Sequence, residues 1–332
     1  MRHRTDRLGD TLQFMLPNPG LTLLVLAVSL SLLSAISPGQ APSQPQHSSI
    51  QKLAFEGGLY TNAGVEGGNS WVEGVATAGS APIRSNIYVR DPFDSQPRWI
   101  AEGEYPTWSP DGSRLAYCTR DEGNYGQIRI VNANGKRDRQ LTHLKSGACF
   151  PEWSPDGKEI AITLIQDFST TVAIIDENGT LLRELGTGRM AHWSPDGKWL
   201  EIMRPVSFSQ QWGSIWIMRA DGTEAKEILK DDSHRVQADW LPDGKGILFS
   251  SQRDGLSAAF TVDLDGKNVR KLGADPSMEW FQSAMSPDGK SLLVEATNNA
   301  SPLKVSVLLI DANTRSARIL AYGVHFSVVW GR

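Results

Sequence analysis

The chain has 332 residues, 40% of them hydrophobic and 21% charged, with a formal net charge of −4 and two cysteines. A mildly acidic chain without a basic run is a poor nucleic-acid binder. At this length roughly 75% of the unfolded chain's surface can be buried, so one large core is possible and no disulfide scaffold is required.

Residues 1–36 read as an export signal or an N-terminal membrane anchor. Arg2, His3, Arg4 and Arg7 precede an uncharged apolar run from Leu21 to Ile36, which is expected to be helical. That run is long for a signal core and short for a span, which needs about 20 residues. Gly39 and Ala41 stand at cleavage-like spacing, but Pro42 is expected to hinder a signal peptidase. Cleavage and an uncleaved tether through Leu21 to Ile36 therefore both stand, and both send the rest of the chain out of the cytoplasm. Residues 37–50 carry Pro, Ser and Gln without a charged side chain, a linker composition.

The remainder, residues 51–332, is expected to form one β-propeller. Lys52 to Phe55 reads as a second strand, Asn86 to Val89 as a third and Arg98 to Ala101 as a fourth, with Glu56 to Pro82 a long surface loop. From there one unit recurs: Trp108 to Gly112, Trp153 to Gly157, Trp193 to Gly197, Trp240 to Gly244 and Met285 to Gly289. The steps are 45, 40, 47 and 45 residues. A period of about 40 to 45 residues is one four-stranded propeller blade.

Ser-Pro-Asp-Gly predicts a tight turn, because Pro presets φ, Asp bonds back to the backbone and Gly takes positive φ. Alternating apolar runs flank it. A second turn follows each third strand, at Asn134-Gly135, Asn178-Gly179, Asp221-Gly222, Asp265-Gly266 and Asn313-Thr314. Val324 to Trp330 is a first strand without a blade, and the N-terminal blade lacks a first strand. The C-terminal strand is therefore expected to complete that blade and close a six-bladed ring of four-stranded blades, leaving no open edge.

The repeat, together with the I-Y-V-like third strands and the Asp-Gly turns, resembles the TolB-type propeller repeat of bacterial envelope proteins over residues 86 to 330. The resemblance implies a periplasmic scaffold that contacts a peptidoglycan-associated lipoprotein through the propeller mouth. The family carries an α/β domain before its propeller, where this chain has a linker and some fifty residues.

The repeated Trp residues 108, 153, 193, 240 and 330 are expected to pack one blade on the next, and the repeated Asp residues 111, 156, 196, 243 and 288 to serve their turns rather than a metal. Asp263-Leu264-Asp265-Gly266 begins like a calcium loop but lacks the later ligands. The six His residues show no metal spacing, no phosphate loop or dinucleotide fingerprint occurs, and Gly255 to Ala259 falls short of a nucleophile elbow. No catalytic residue, metal or cofactor is expected. Cys118 and Cys149 fall on neighbouring blades and lack zinc spacing; two buried thiols are favoured over a disulfide.

Chain direction places the second-to-third and fourth-to-first loops on one rim. Binding is expected there, through Arg120, Tyr125, His143, Arg189, His192, His234, Arg235, Arg253, Glu279 and Trp280, because Arg, His and aromatic side chains on a rigid scaffold favour recognition. The expected function is a monomeric, non-catalytic protein-interaction scaffold in the cell envelope, with an envelope protein or lipoprotein as partner. The alternative is a carbohydrate-binding, small-ligand-binding or hydrolytic propeller that uses the central channel through Glu104, Glu152, Asp239 or Glu279.

Overall fold

The computed structural model describes residues 53–58, 85–90, 98–121, 124–166, 169–204, 213–230, 237–253, 255, 257–273, 278–298, 304–313, 316–323 and 329–330. The apolar run 21–36, the linker 37–50, His234 and Arg235 lie outside them. Among the described residues every regular element is a strand, and no helix is long and apolar enough to cross a membrane.

In chain order the strands are β1 (Leu53–Gly58), β2 (Ser85–Arg90), β3 (Arg98–Glu102), β4 (Glu104–Trp108), β5 (Arg114–Asp121), β6 (Asn124–Asn132), β7 (Arg139–Gln140) and β8 (Gly147–Trp153). Then come β9 (Glu159–Gln166), β10 (Ser169–Asp176), β11 (Leu181–Thr187), β12 (Arg189–Trp193), β13 (Trp199–Arg204), β14 (Ser214–Arg219), β15 (Lys226–Lys230) and β16 (Gln237–Trp240). The last are β17 (Gly246–Ser251), β18 (Ala258–Asp263), β19 (Arg270–Gly273), β20 (Met278–Met285), β21 (Ser291–Asn298), β22 (Lys304–Asp311), β23 (Ala317–Gly323) and β24 (Val329–Trp330).

They form an all-β propeller. Five sheets, β4 to β7, β8 to β11, β12 to β15, β16 to β19 and β20 to β23, each hold one copy of the repeat as an antiparallel meander. These are the second to sixth sheets. The first has the order β24-β1-β2-β3, in which Leu53 lies opposite Trp330 and Ala54 opposite Val329. The C-terminal strand thus takes the place of first strand beside β1. That strand runs on to Gly58, so Glu56, Gly57 and Gly58, expected in a loop, pair with Ile87, Asn86 and Ser85.

The turns follow from their residues. In Ser154 to Gly157 the Gly157 N–H donates to Ser154 O at 2.9 Å, Gly157 has φ of 72°, and Ser154 Oγ donates to Asp156 Oδ1 at 2.8 Å. Where Leu241 replaces the Ser, the backbone bond from Gly244 N to Leu241 O still closes at 2.8 Å. The hydroxyl is an addition to this turn, not its cause.

Both faces of each middle strand are covered, so strands such as Ile160-Ala161-Ile162 are apolar without alternation. The core is layered between successive sheets, and each repeated Trp fills one layer. Trp108 packs with Ile87, Val89 and Ile100 of the first sheet. Trp153 packs with Ala116, Ile128 and Ile130 of the second, Trp193 with Ala161, Val172 and Ile174 of the third, and Trp240 with Ile215, Ile217 and Ile228 of the fourth. The indole N–H groups of Trp193 and Trp240 reach back to Glu152 O at 3.1 Å and His192 O at 3.0 Å, tying each inner strand to the one before. The packing role expected of the repeated Trp residues holds at these four positions.

Cys118 on β5 and Cys149 on β8 are fully buried, but they are not two thiols: they form a disulfide across a Cα separation of 5.1 Å. The expectation of free thiols is overturned by proximity. The second strand of one sheet and the first strand of the next meet at this point of their shared layer, a distance that spacing along the chain does not reveal.

Candidate functional site

The inner strands β4, β8, β12, β16 and β20 line a channel with a cavity of about 460 Å³. Three of them bulge at one point of the repeat, and β20 bulges one residue earlier. Pairing slips between Glu104 and Thr107, Cys149 and Glu152, Arg189 and His192, and Trp280 and Ser283. Within three of these bulges Tyr105, Phe150 and Met190 hold φ of 52°, 53° and 51°. Non-glycine residues in that region cost of order 1–3 kcal/mol each and persist only where packing over-determines them. The bulge turns successive residues toward the axis, and the wall acquires tiers.

The tier nearest the start of the strands holds Tyr105, Phe150, Met190 and Gln237, with the Tyr105 and Phe150 rings 4.3 Å apart between centroids. Two residues on, directly before the repeat Trp or Met, stand Thr107, Glu152, His192, Asp239 and Ala284. The far end is rimmed by the turn prolines, Pro110, Pro155, Pro195, Pro242 and Pro287.

The middle tier is the chemically diverse one. Thr107 Oγ1 donates to Glu152 Oε2 at 3.0 Å, bridging the second and third sheets. His192 Nδ1 lies 3.9 Å from Asp239 Oδ1, bridging the fourth and fifth. Behind that pair is Glu201 on β13, opposite His192 in the ladder and fully buried, with neither carboxyl oxygen accepting a hydrogen bond. Burial pushes the Glu201 carboxyl well above the usual carboxylate range, and the Asp239 carboxylate pushes it the same way. Gln237 Oε1 is a further buried acceptor without a donor. Among the described residues no group of three or more His, Cys, Asp or Glu is placed to hold a metal ion.

The expected binding residues divide. Arg120 and Tyr125 are cross-strand partners at the β5–β6 hairpin, His143 is exposed before β8, Arg189 opens β12, Arg253 is exposed between β17 and β18, and Glu279 lies near the start of β20. Strand polarity collects these on the rim where the first strands begin. His192 lies deeper, in the channel. Trp280 is not a surface residue: it is 5% exposed and packs with Leu248, Ala259 and Leu292, because β20 begins before it and carries it into the core. Of the carboxylates considered for the alternative, Glu152 and Asp239 line the channel, while Glu104 is buried at the start of β4.

Glu201 escaped the sequence reading, as did Thr107 and Gln237. The signal for Glu201 was present: aligned on the repeat, its position is Ala116, Ala161, Leu248 and Leu293 in the other four copies.

A family model described as the TolB beta propeller domain matches residues 186–327. The Tol-Pal system protein TolB of Francisella tularensis subsp. mediasiatica is 25% identical over 212 residues, 63% of this chain and 48% of that protein. The chain thus spans about half the length of this curated relative. Among solved structures, a putative TolB from Agrobacterium tumefaciens matches with a TM-score of 0.59 at 22% identity, covering 68% of this chain and 84% of that one. TolB from Acinetobacter baumannii matches with a TM-score of 0.55 at 19% identity, covering 74% and 67%. Residues 186–327 thus match the TolB propeller family model, and the solved structures share the fold of four-stranded sheets around a channel built from their first strands.

Proposed function

We propose that this chain is an exported, six-bladed propeller that acts as a monomeric, non-catalytic docking scaffold in the cell envelope, and that a partner protein or lipoprotein seats on its channel mouth. The observation that carries the reading is variation at one point of an otherwise constant repeat. The turn and the packing residue recur from copy to copy, whereas the position before the packing residue is in turn Thr107, Glu152, His192, Asp239 and Ala284. A position that only filled space would repeat with the rest, so five different side chains facing one cavity read as a specified surface. The rim positions Arg120, Tyr125, His143, Arg189, Arg253 and Glu279 extend that surface, and His234 and Arg235, outside the described residues, are assigned to it from the sequence alone.

Matched relatives that are Tol-Pal system proteins support docking as the mode of action. Export is supported by the basic, apolar N-terminus and by the disulfide between Cys118 and Cys149, since disulfides persist outside the reducing cytoplasm. Leu21 to Ile36 serves as the signal or the tether. Pairing of β24 with β1 supports closure into six blades.

The test is affinity capture of the full chain from envelope extracts of the source organism, comparing wild type with a His192→Ala/Arg189→Ala double variant. An envelope protein captured by wild type and lost by the variant is the expected result. Equal capture by both would remove the channel mouth as the docking site.

A further inference from the structure

The joint between the fifth and sixth sheets departs from the other joints at its far-rim end, and it does so at two residues. Met285, the last residue of β20, stands where Trp108, Trp153, Trp193 and Trp240 end their inner strands. Those four indoles are buried, whereas Met285 is half-buried and lines the channel. One position after Trp240, Leu241 takes the place that Ser109, Ser154, Ser194 and Ser286 hold in the other turns. The four serines are buried and Leu241 is half-buried. Leu241 and Met285 pack at the edge of one layer, that of Leu248, Ala259 and Leu292. A smaller packing residue and an apolar turn residue in the same layer make an apolar cleft, and paired departures from a repeat mark function.

The spacing of the turns agrees. A Cβ placed on Gly157, Gly197 or Gly244 would lie 3.6, 3.6 or 3.8 Å from the ring of Pro110, Pro155 or Pro195 in the preceding turn, whereas one on Gly289 would meet nothing within 4 Å. Met285 also has no N–H, so the bonds that tie Trp193 to Glu152 O and Trp240 to His192 O have no counterpart here. Toward the mouth the same two sheets are joined, by Ser250 Oγ and Ser283 Oγ at 3.1 Å and by Ser257 Oγ donating to Trp280 O. Trp280, the third residue of β20, fills the layer from that side. The opening is confined to the far end.

The sister layers show what fits it, since each holds an indole at this place. A thioether makes favourable contacts with aromatic rings, and Leu241 and Pro242 add apolar walls. We propose that the cleft seats one aromatic side chain, a tryptophan, of a partner polypeptide, with Met285, Leu241 and Pro242 around the ring. The cleft opens beside the exposed Pro287 and Asp288, so the stem of the ring leaves toward solvent, as it does from a second chain. A buried aromatic anchor in a pocket is the usual centre of an interface. This site lies at the end of the channel opposite the docking mouth, and neither depends on the other.

The test is fluorine NMR of the full chain with N-acetyl-fluorotryptophan amide as the probe. The probe is expected to bind, and N-acetyltryptophan amide to displace it at least about ten-fold more effectively than N-acetylleucine amide. Met285→Trp fills the cleft with the chain's own indole, so probe binding is expected to fall at least about ten-fold and the thermal midpoint to rise by about 2–4 °C. Leu241→Ser restores the residue of the other turns and is expected to weaken the probe several-fold, which keeps the proposal testable if Met285→Trp does not fold. Lys158→Ala, an exposed residue in the turn of the third sheet, is expected to leave binding unchanged. No probe binding, equal displacement by the leucine amide, or binding unchanged in both cleft variants overturns the proposal. Trp99 is itself exposed, so sedimentation of the wild type is compared with Trp99→Ala. Self-association lost in that variant would hand the cleft to a second copy of this chain and overturn the assignment to a partner.

Discussion

The layer between the third and fourth sheets and the layer between the fourth and fifth are built from the same repeat and part in polarity at one aligned position. In the first, Ala161 stands opposite Glu152 and closes an apolar layer with Val172, Ile174, Ala191 and Trp193. In the second, Glu201 takes the place of Ala161, opposite His192 and facing Asp239. The apolar solution is plainly available to this sequence, since the other copies use it. A carboxyl kept where the repeat offers Ala or Leu spends stability, and such departures from local consistency mark function.

The largest way to break the contrast is to copy it. Ala161→Glu would bury a second carboxyl, with the Glu152 carboxylate opposite. An uncompensated buried charge costs about 3–5 kcal/mol, and the loss should read out as a lowered urea midpoint. A loss below about 1 kcal/mol would mean that this layer admits water, and the argument for Glu201 as a costly exception would fail.

A smaller effect sharpens the comparison from the other side. The layer between the second and third sheets is stapled by Cys118–Cys149, which closes a loop over a separation of 31 residues. Cys118→Ala/Cys149→Ala would leave that layer held by packing alone, like its neighbour. The expected loss is about 2–4 kcal/mol, measured by urea unfolding beside wild type under reducing and oxidising conditions. Reductant should lower the wild-type midpoint and leave the double variant where it is.

What the sequence disclosed and what it hid follow the same division. Turn chemistry is local, so Ser154 to Gly157 and its sister turns were legible, and a packing role for Trp153, Trp193 and Trp240 followed from their period. Contacts between sheets were not. Cys118 and Cys149 meet only because the second strand of one sheet and the first strand of the next come to 5.1 Å between their Cα atoms there. Trp280 was read as part of a loop because β20 starts earlier than the turn signal suggests. The channel tiers depend on bulges at Tyr105, Phe150 and Met190, whose positive φ has no sequence signature in such residues. Glu201 was visible only by comparing copies column by column, since within its own strand a Glu between Leu200 and Ile202 looks like an outward-facing residue.

The smallest effect is the most specific to Glu201, and it is a slope rather than a shift. Its folded-state pKa is raised, so between the unfolded carboxyl value, about 4.3, and that raised value the folded chain holds a proton that the unfolded chain has released. Stability therefore falls as pH rises through this window, by at most about 1.4 kcal/mol per pH step. The turn aspartates act in the opposite sense. Asp111, lowered to about 2 chiefly by the Ser109 hydroxyl, adds stability that is present above the unfolded value and lost as the solution is acidified toward pH 2. Glu201→Leu should be about 1–3 kcal/mol more stable than wild type near neutrality, because an unpaired buried carboxyl is gone. It should also lose the falling limb that begins above the unfolded carboxyl value while keeping the acid limb. Urea midpoints for both chains across both limbs measure the difference. Parallel curves would show that Glu201 titrates alike in the folded and unfolded chains, and so that the wall behind Asp239 is wet.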